Sequence, residues 1–420
     1  MTAPGDEDSG AGAAAAAAVA RRSYGRLVAL LAARSHDIAV AEDALGEAFA
    51  AALAHWPKQG VPDAPEAWLL TTARRRLHDG WRHGQVEANG AETLRLVADD
   101  WVEAGSGAAI PDERLKLMFV CAHPAIDPAA RPALMLQAVL GLDAARIASA
   151  FLVAPSTLSQ RLVRAKTKIR SAGIAFEVPA ANALPGRLGD VLEAIYAAFG
   201  TGWDDVAGAD PLRSGLTLEA LDLAATLAEL LPGSAEAWGL LALLAFCQSR
   251  VEARRDARGD YVPLARQDVS LWQRDLLRVG EAALRRAADL GDPGPYQLEA
   301  AIQSAYSQRG LGAEVPDAAI VALYDALLAM HPSAGVQVSR ACAVGAAEGP
   351  VAGLRELDRL DGEALRGYQP YWAALAHFAA LAGDAGVATT ARERAIGLST
   401  DPAVRRFLAT GWISKQVSRG

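Results

Sequence analysis

The residues that stand out by type and spacing are cationic, acidic and aromatic, with few candidate nucleophiles. Arg74, Arg75 and Arg76 form a triplet, followed by Arg82 and flanked by Trp68 and Trp81. Guanidinium groups neutralise phosphates and ring faces stack on bases, so this combination suits an unpaired nucleic-acid strand. The alternative is a core Trp68 beside solvated arginines. Asp43 and Glu47 stand four residues apart. Like charges at that helical spacing cost an isolated helix about 0.2–0.5 kcal/mol, which makes the ridge a candidate dock for a basic partner. It reads equally as two ordinary exposed acids. Between Ala144 and Phe176, Arg146, Arg161, Arg164, Lys166, Lys168 and Arg170 occur with no acid among them. In a chain of net charge −8, such a block marks either a nucleic-acid contact or a solvated helix face.

Covalent chemistry has little support. Cys121 and His123 are neighbours in a CAHP stretch, but two residues apart on a helix they do not face each other, and no third group is evident. There is no glycine-rich phosphate loop and no paired-histidine metal spacing. No catalytic residue, metal site or cofactor is therefore expected. The three cysteines, Cys121, Cys247 and Cys342, are odd in number and far apart, against a disulfide framework or a zinc knuckle.

The elements that must position these groups read as helices throughout, so an all-α protein is expected. From His36 to Trp56, the residues Ile38, Ala41, Leu45, Ala48, Phe49, Ala52, Leu53 and Trp56 form one apolar stripe, with Asp43 and Glu47 on the other side. Pro65 to His83 opens with Pro and Glu, which suit the positive end of a helix, and then presents the arginines. Residues 142–170 read as helix, short turn, helix, with Ile147, Ala148 and Phe151 lining the first. In the second, Leu158, Leu162, Ala165 and Ile169 share a face at 100° per residue. Ser156, Gln160, Arg164 and Thr167 lie opposite, with Arg161, Lys166, Lys168 and Arg170 on the flanks. Short polar groups at the N-terminus of a basic helix fit the major groove of DNA.

A chain of 420 residues, 52% hydrophobic with mean hydropathy +0.12, is long enough for two or three domains. No run of bulky apolar residues is long enough to span a membrane, and the acidic N-terminus lacks the basic start of a signal peptide, so a cytoplasmic protein is expected. Residues 1–180 hold 19 basic and 20 acidic residues, a net of −1, and residues 181–420 hold 22 and 29, a net of −7. The acidic excess thus belongs to the C-terminal part. Glycine-rich and proline-rich segments divide the chain into a floppy tail over 1–20, a helical body over 21–84, a linker over 85–111, the helix–turn–helix body over 112–172, a second linker over 173–186 and a long helical body over 187–415. The last contains helical hairpins at 219–246, 282–308, 319–346 and 371–398, similar to irregular tetratricopeptide-type repeats.

The AEDALGEAF run (Ala41 to Phe49), the APEAWLLTTARRRLHDGWR run (Ala64 to Arg82) and the ARIASAFLVAPSTLSQRLVRAKTKIR run (Ala145 to Arg170), in this order, resemble an RNA polymerase sigma factor of the extracytoplasmic-function type. DERLKLMFVCAHPAI (Asp112 to Ile126) looks like the opening of region four in the group with a large C-terminal helical extension. The resemblance implies that 21–84 is region two and 112–172 region four. It implies that the helix of Asp43, Glu47 and Phe49 docks on the β′ clamp helices of RNA polymerase core. Arg74, Arg75, Arg76 and Arg82 then meet the −10 element of promoter DNA. Ser156, Thr157, Ser159, Gln160, Arg161, Arg164 and Lys168 fall on the −35 recognition helix, with region four also touching the β flap. Two departures stand out: Gly46, where the family usually has glutamine, and Ala154, where a capping Ser or Thr is common.

The expected role of 187–415 is to tune activity through a contact with the sigma regions or with polymerase. Tyr261, Gln267, Asp268 and Trp272 occupy a loop-then-helix segment where the group carries a polar signature, and are candidate regulatory residues. An ordinary inter-helix loop is the alternative. A rival reading of the whole chain is a one-component regulator with a helical sensor, which leaves Asp43, Glu47 and the arginine triplet without a role.

Overall fold

The structure, a computed structural model, describes residues 5–84, 112–150, 153–180, 182–203, 215–363 and 365–411. The expected 85–111 linker lies outside the described residues. The described elements are helical, as expected, with a single isolated bridge between Arg255 and Tyr261. They form two compact units. One holds the described residues up to 202 with 215–219; the other holds Trp203 and the described residues from Ala220 onward.

The first unit begins with α1 (Gly5–Ser35), which packs along α2 (Ile38–Gln59), α3 (Pro65–Gly84), α4 (Arg114–Cys121) and α5 (Arg131–Leu140). The tail expected over 1–20 is instead helical from Gly5. Its alanine run has the highest intrinsic helix propensity, and Ala16 and Val19 are buried. Asp37 starts α2 by accepting from the backbone N–H groups of Ala39 and Val40. Gly25 allows α1 to approach α5 closely: a Cβ there would lie 1.5 Å from the Val139 carbonyl oxygen. At the end of α5, Gly141 takes φ of 65°, with Tyr24 of α1 against it.

Next come α6 (Ala144–Ala150) and α7 (Pro155–Ser171), packed together as the expected helix–turn–helix. Phe151, expected to line the first of these helices, lies outside the described residues. Pro155 opens α7, and Ala154 gives no side-chain cap. Then comes α8 (Pro185–Trp203), which makes polar contacts within the first unit. Arg187 donates to the Phe119 carbonyl at 3.3 Å, and Arg131 pairs with Asp190 at 2.8 Å. By its contacts α8 thus groups with the first unit up to residue 202.

The division between units falls within α9 (Leu216–Leu230). It is followed by α10 (Ala235–Gln248), α11 (Arg274–Asp289), α12 (Pro295–Gly310), α13 (Asp317–Met330), α14 (Ala334–Glu348), α15 (Pro350–Asp358), α16 (Gln369–Leu381), α17 (Ala385–Leu398) and α18 (Pro402–Arg406). From α10 onward, successive helices mostly pack on their neighbours, as the hairpin pattern predicts. Leu357 and Phe378 anchor one core and Ile302 and Leu327 another. No helix among the described residues is long and apolar enough to cross a membrane.

Candidate nucleic-acid interface

The polar face of α7 is built from the inside outward. Leu158, Leu162, Ala165 and Ile169 are buried, as the 3.6-residue period requires. Ser156, Thr157, Ser159, Gln160, Arg164 and Lys168 are thereby exposed, and Arg161 is half-buried. Ser159 donates its hydroxyl to the Pro155 carbonyl at 2.9 Å. The first turn thus presents short polar side chains and free backbone N–H groups, while Arg164 and Lys168 supply charge further along.

Two cations of the basic block have other employment. Lys166 pairs with Glu42 of α2, both largely buried, and Arg170 pairs with Asp37 at 3.3 Å. Burial pushes the Glu42 carboxyl above its ordinary range, with Lys166 pulling the other way. These pairs join partners 124 and 133 residues apart, so no local spacing in the sequence points to them.

On α2, Asp43 and Glu47 are exposed, as is Gly46, and Phe49 is half-buried. Glu47 is not isolated: its carboxylate lies 3.2 Å from Arg76 of α3, with more than half of each side chain exposed. The candidate acidic ridge and the candidate arginine strip are therefore adjacent faces of one helix pair. Trp68 is half-buried beside Trp56, ring centroids 5.6 Å apart. Its indole thus supports the α2–α3 contact.

The arginine triplet does not act as one surface. Arg75 and Arg76 are exposed, but Arg74 is only 9% exposed. It shares the inward face with Leu70, Ala73 and Leu77. Burial, and then the nearby Arg34 charge, lower its pKa. Arg82 lies on α3, but its side chain, like that of Trp81, is outside the described residues.

The four expected regulatory residues make contacts within and beside their loop. Tyr261 packs edge-on against Phe407, ring centroids 5.4 Å apart. The Gln267 amide donates to the Val262 carbonyl at 3.4 Å, and Asp268 accepts from the Ser270 N–H at 2.9 Å. Trp272 is buried against Gly310, where an added Cβ would sit 2.5 Å from its ring. Ion pairs from Arg255 to Asp401 and from Arg406 to Asp260 fasten the same loop.

Residues 19–86, which span α2, α3 and part of α1, match the family Sigma-70 region 2. The chain carries a sigma-70 region 2 domain, which supports a sigma-70 factor. That domain supports a sigma-factor-like role in promoter recognition, with RNA polymerase core and promoter DNA as the partners it points to. Residues 187–288 match a family of unknown function (DUF6596). An uncharacterized protein of Rhizobium meliloti is 37% identical over 374 residues, covering 88% of each chain. The relationship thus extends through both units. No solved structure matches.

Proposed function

We propose that the chain is a sigma-70 factor of the extracytoplasmic-function type, with α1–α3 as region two and α4–α7 as region four. In this reading α2 docks on the β′ clamp helices through Asp43, Glu47 and the half-buried Phe49. Arg75 and Arg76, with Arg82 by resemblance, meet the unpaired −10 strand. Arg74 is withdrawn from that set, because its burial makes it a structural cation. The exposed face of α7 reads the −35 element through Ser156, Thr157, Ser159 and Gln160. Arg161, Arg164 and Lys168 hold the backbone, and region four touches the β flap. The repeat-like helices of the second unit tune activity through polymerase or the sigma regions.

The observation that carries this reading is the union of a region-2 match with a second helix whose polar, cationic face is exposed. No covalent step is involved: binding energy redirects an enzyme supplied by the partner. The test is run-off transcription with purified core, comparing the full chain with one ending after α8. Core-dependent specific transcripts support the sigma reading. A rise on truncation assigns inhibition to the second unit, and a loss assigns it a required role. Duplex binding without core, and no transcript, favours the one-component regulator.

A further inference from the structure

The second unit buries an arginine with neutral partners. Arg250, just beyond α10, is 5% exposed. Its Nη2 donates to Gln303 Oε1 at 2.5 Å, and its guanidinium carbon lies 5.9 Å from the centroid of the Trp272 ring. It also hydrogen-bonds the Cys247 thiol. Burial raises the pKa of that thiol, which keeps it protonated and neutral near pH 7. The Glu299 carboxylate, one turn before Gln303 on α12, bears electrostatically on Cys247. Among the described residues no carboxylate forms an ion pair with Arg250. A buried charge without a counter-charge is strongly unfavourable, and proteins generally pair it.

The surroundings supply further hydrogen-bond donors. Arg250 Nη1, Trp272 Nε1 and Ser307 Oγ are all buried without a hydrogen-bond partner. Their placement along α12 is coherent. Gln303 meets Arg250, Gly310 meets the Trp272 ring, and Ser307 lies between them on the same helical face. At 1.5 Å per residue, Ser307 is about 6 Å along the axis from Gln303 and about 4.5 Å from Gly310. A guanidinium N–H, an indole N–H and a hydroxyl, on α12 or on side chains that touch it, are thus buried without an acceptor. Oxyanions satisfy such a set, because one negative group accepts several charge-assisted hydrogen bonds.

We propose that Arg250, Trp272 and Ser307 form a binding site for a small oxyanion, the carboxylate or phosphate group of a small molecule. The bound group completes the loop 252–272 and gives the second unit a chemical input. The site would exist whether or not the first unit is a sigma factor, and its test uses no transcription.

The experiment is thermal unfolding of the full chain against increasing inorganic phosphate or acetate, at fixed ionic strength maintained with chloride. The expected result is a saturable rise in Tm with one of the two anions. Phosphate alone identifies a phosphate-bearing ligand, and acetate alone a carboxylate-bearing one. Trp272→Phe keeps the ring and removes the N–H, and Ser307→Ala removes the hydroxyl. Each should weaken the apparent affinity by about 10-fold, as expected for one lost hydrogen bond to a charged group. Arg250→Met should abolish the response. A wild-type chain whose Tm follows neither anion beyond the chloride control overturns the proposal, as does an Arg250→Met chain that responds fully. If Arg250→Met fails to fold, an undiminished affinity in Trp272→Phe and Ser307→Ala overturns it equally.

Discussion

Arg74 and Arg75 are adjacent in sequence and opposite in consequence. Arg75 is exposed, so Arg75→Ala should leave Tm nearly unchanged while lowering transcription from a promoter that must be melted. Arg74→Ala should lower stability by roughly 1–3 kcal/mol, because it withdraws a buried hydrogen-bonding group from the α3 inner face. Parallel melting curves and run-off assays separate the two effects. A second residue-scale test concerns Asp112. Burial raises its pKa, but hydrogen bonds and charge from Arg114 outweigh that and hold it below the ordinary carboxylate value. Arg114 is itself buried and also pairs with Glu219 at 3.0 Å. A carboxyl with a depressed folded pKa binds fewer protons folded than unfolded as acid is added. Its contribution is present above the unfolded pKa and is lost as pH falls through the folded one. Asp112→Asn should therefore lower stability at neutral pH and flatten the acid limb of a stability–pH curve.

Among the elements, α7 separates two kinds of cation. Lys168 is exposed, and Lys168→Ala should reduce the slope of log affinity against log salt by about 1 with little change in Tm. Lys166→Ala should instead destabilise the first unit, by less than the roughly 3–5 kcal/mol of a fully buried pair, because Glu42 would be left largely buried without its counter-charge. Thermal melts and salt-dependent binding titrations distinguish these outcomes. The α7 stripe was legible because its periodicity is local: the residues that alternate in sequence also alternate in burial. The inward turn of Arg74 was equally available, since Leu70, Ala73 and Leu77 mark that face. The docking of Lys166 and Arg170 onto α2 was not, because tertiary pairs across more than a hundred residues leave no mark on helical spacing. The roles of Tyr261 and Trp272 were hidden for the same reason, since their partners Phe407 and Gly310 belong to later elements. The N-terminal helix was misread because an acidic, alanine-rich start resembles a solvated tail until the surface that buries Ala16 and Val19 is known.

At the scale of the molecule, the proposed function sets a distance problem. Sites centred near −10 and −35 are roughly 25 base pairs apart, about 85 Å along B-form DNA at 3.4 Å per pair. A compact unit of about 200 residues has a radius of gyration near 16 Å and a width of about 40 Å. With α7 held against α2, the first unit cannot reach both elements. On the proposed reading α4–α7 must leave α1–α3 when core and promoter are bound, breaking the Glu42–Lys166 and Asp37–Arg170 pairs. Fluorophores at positions 71 and 163, exposed on α3 and α7 and outside the proposed contacts, in a chain whose Cys247 and Cys342 are replaced by serine, should show efficient energy transfer when free. Transfer should fall sharply on assembly with core and promoter. Undiminished transfer in a transcriptionally active complex would contradict the two-site reading.

The close approach of α1 to α5 at Gly25 also bears on how the chain is made. The two helices are separated by roughly a hundred residues, so α1 leaves the ribosome about 5–20 s before α5 at ordinary elongation rates. Through that interval the face that will meet the Val139 carbonyl has no native cover from α5. Gly25 and Ala29 add little apolar surface there, whereas Leu27, Val28 and Leu31 of the same helix, buried in the finished unit, stay open to chaperones and other nascent chains. A bulkier face at Gly25 and Ala29 would add to that exposure during synthesis.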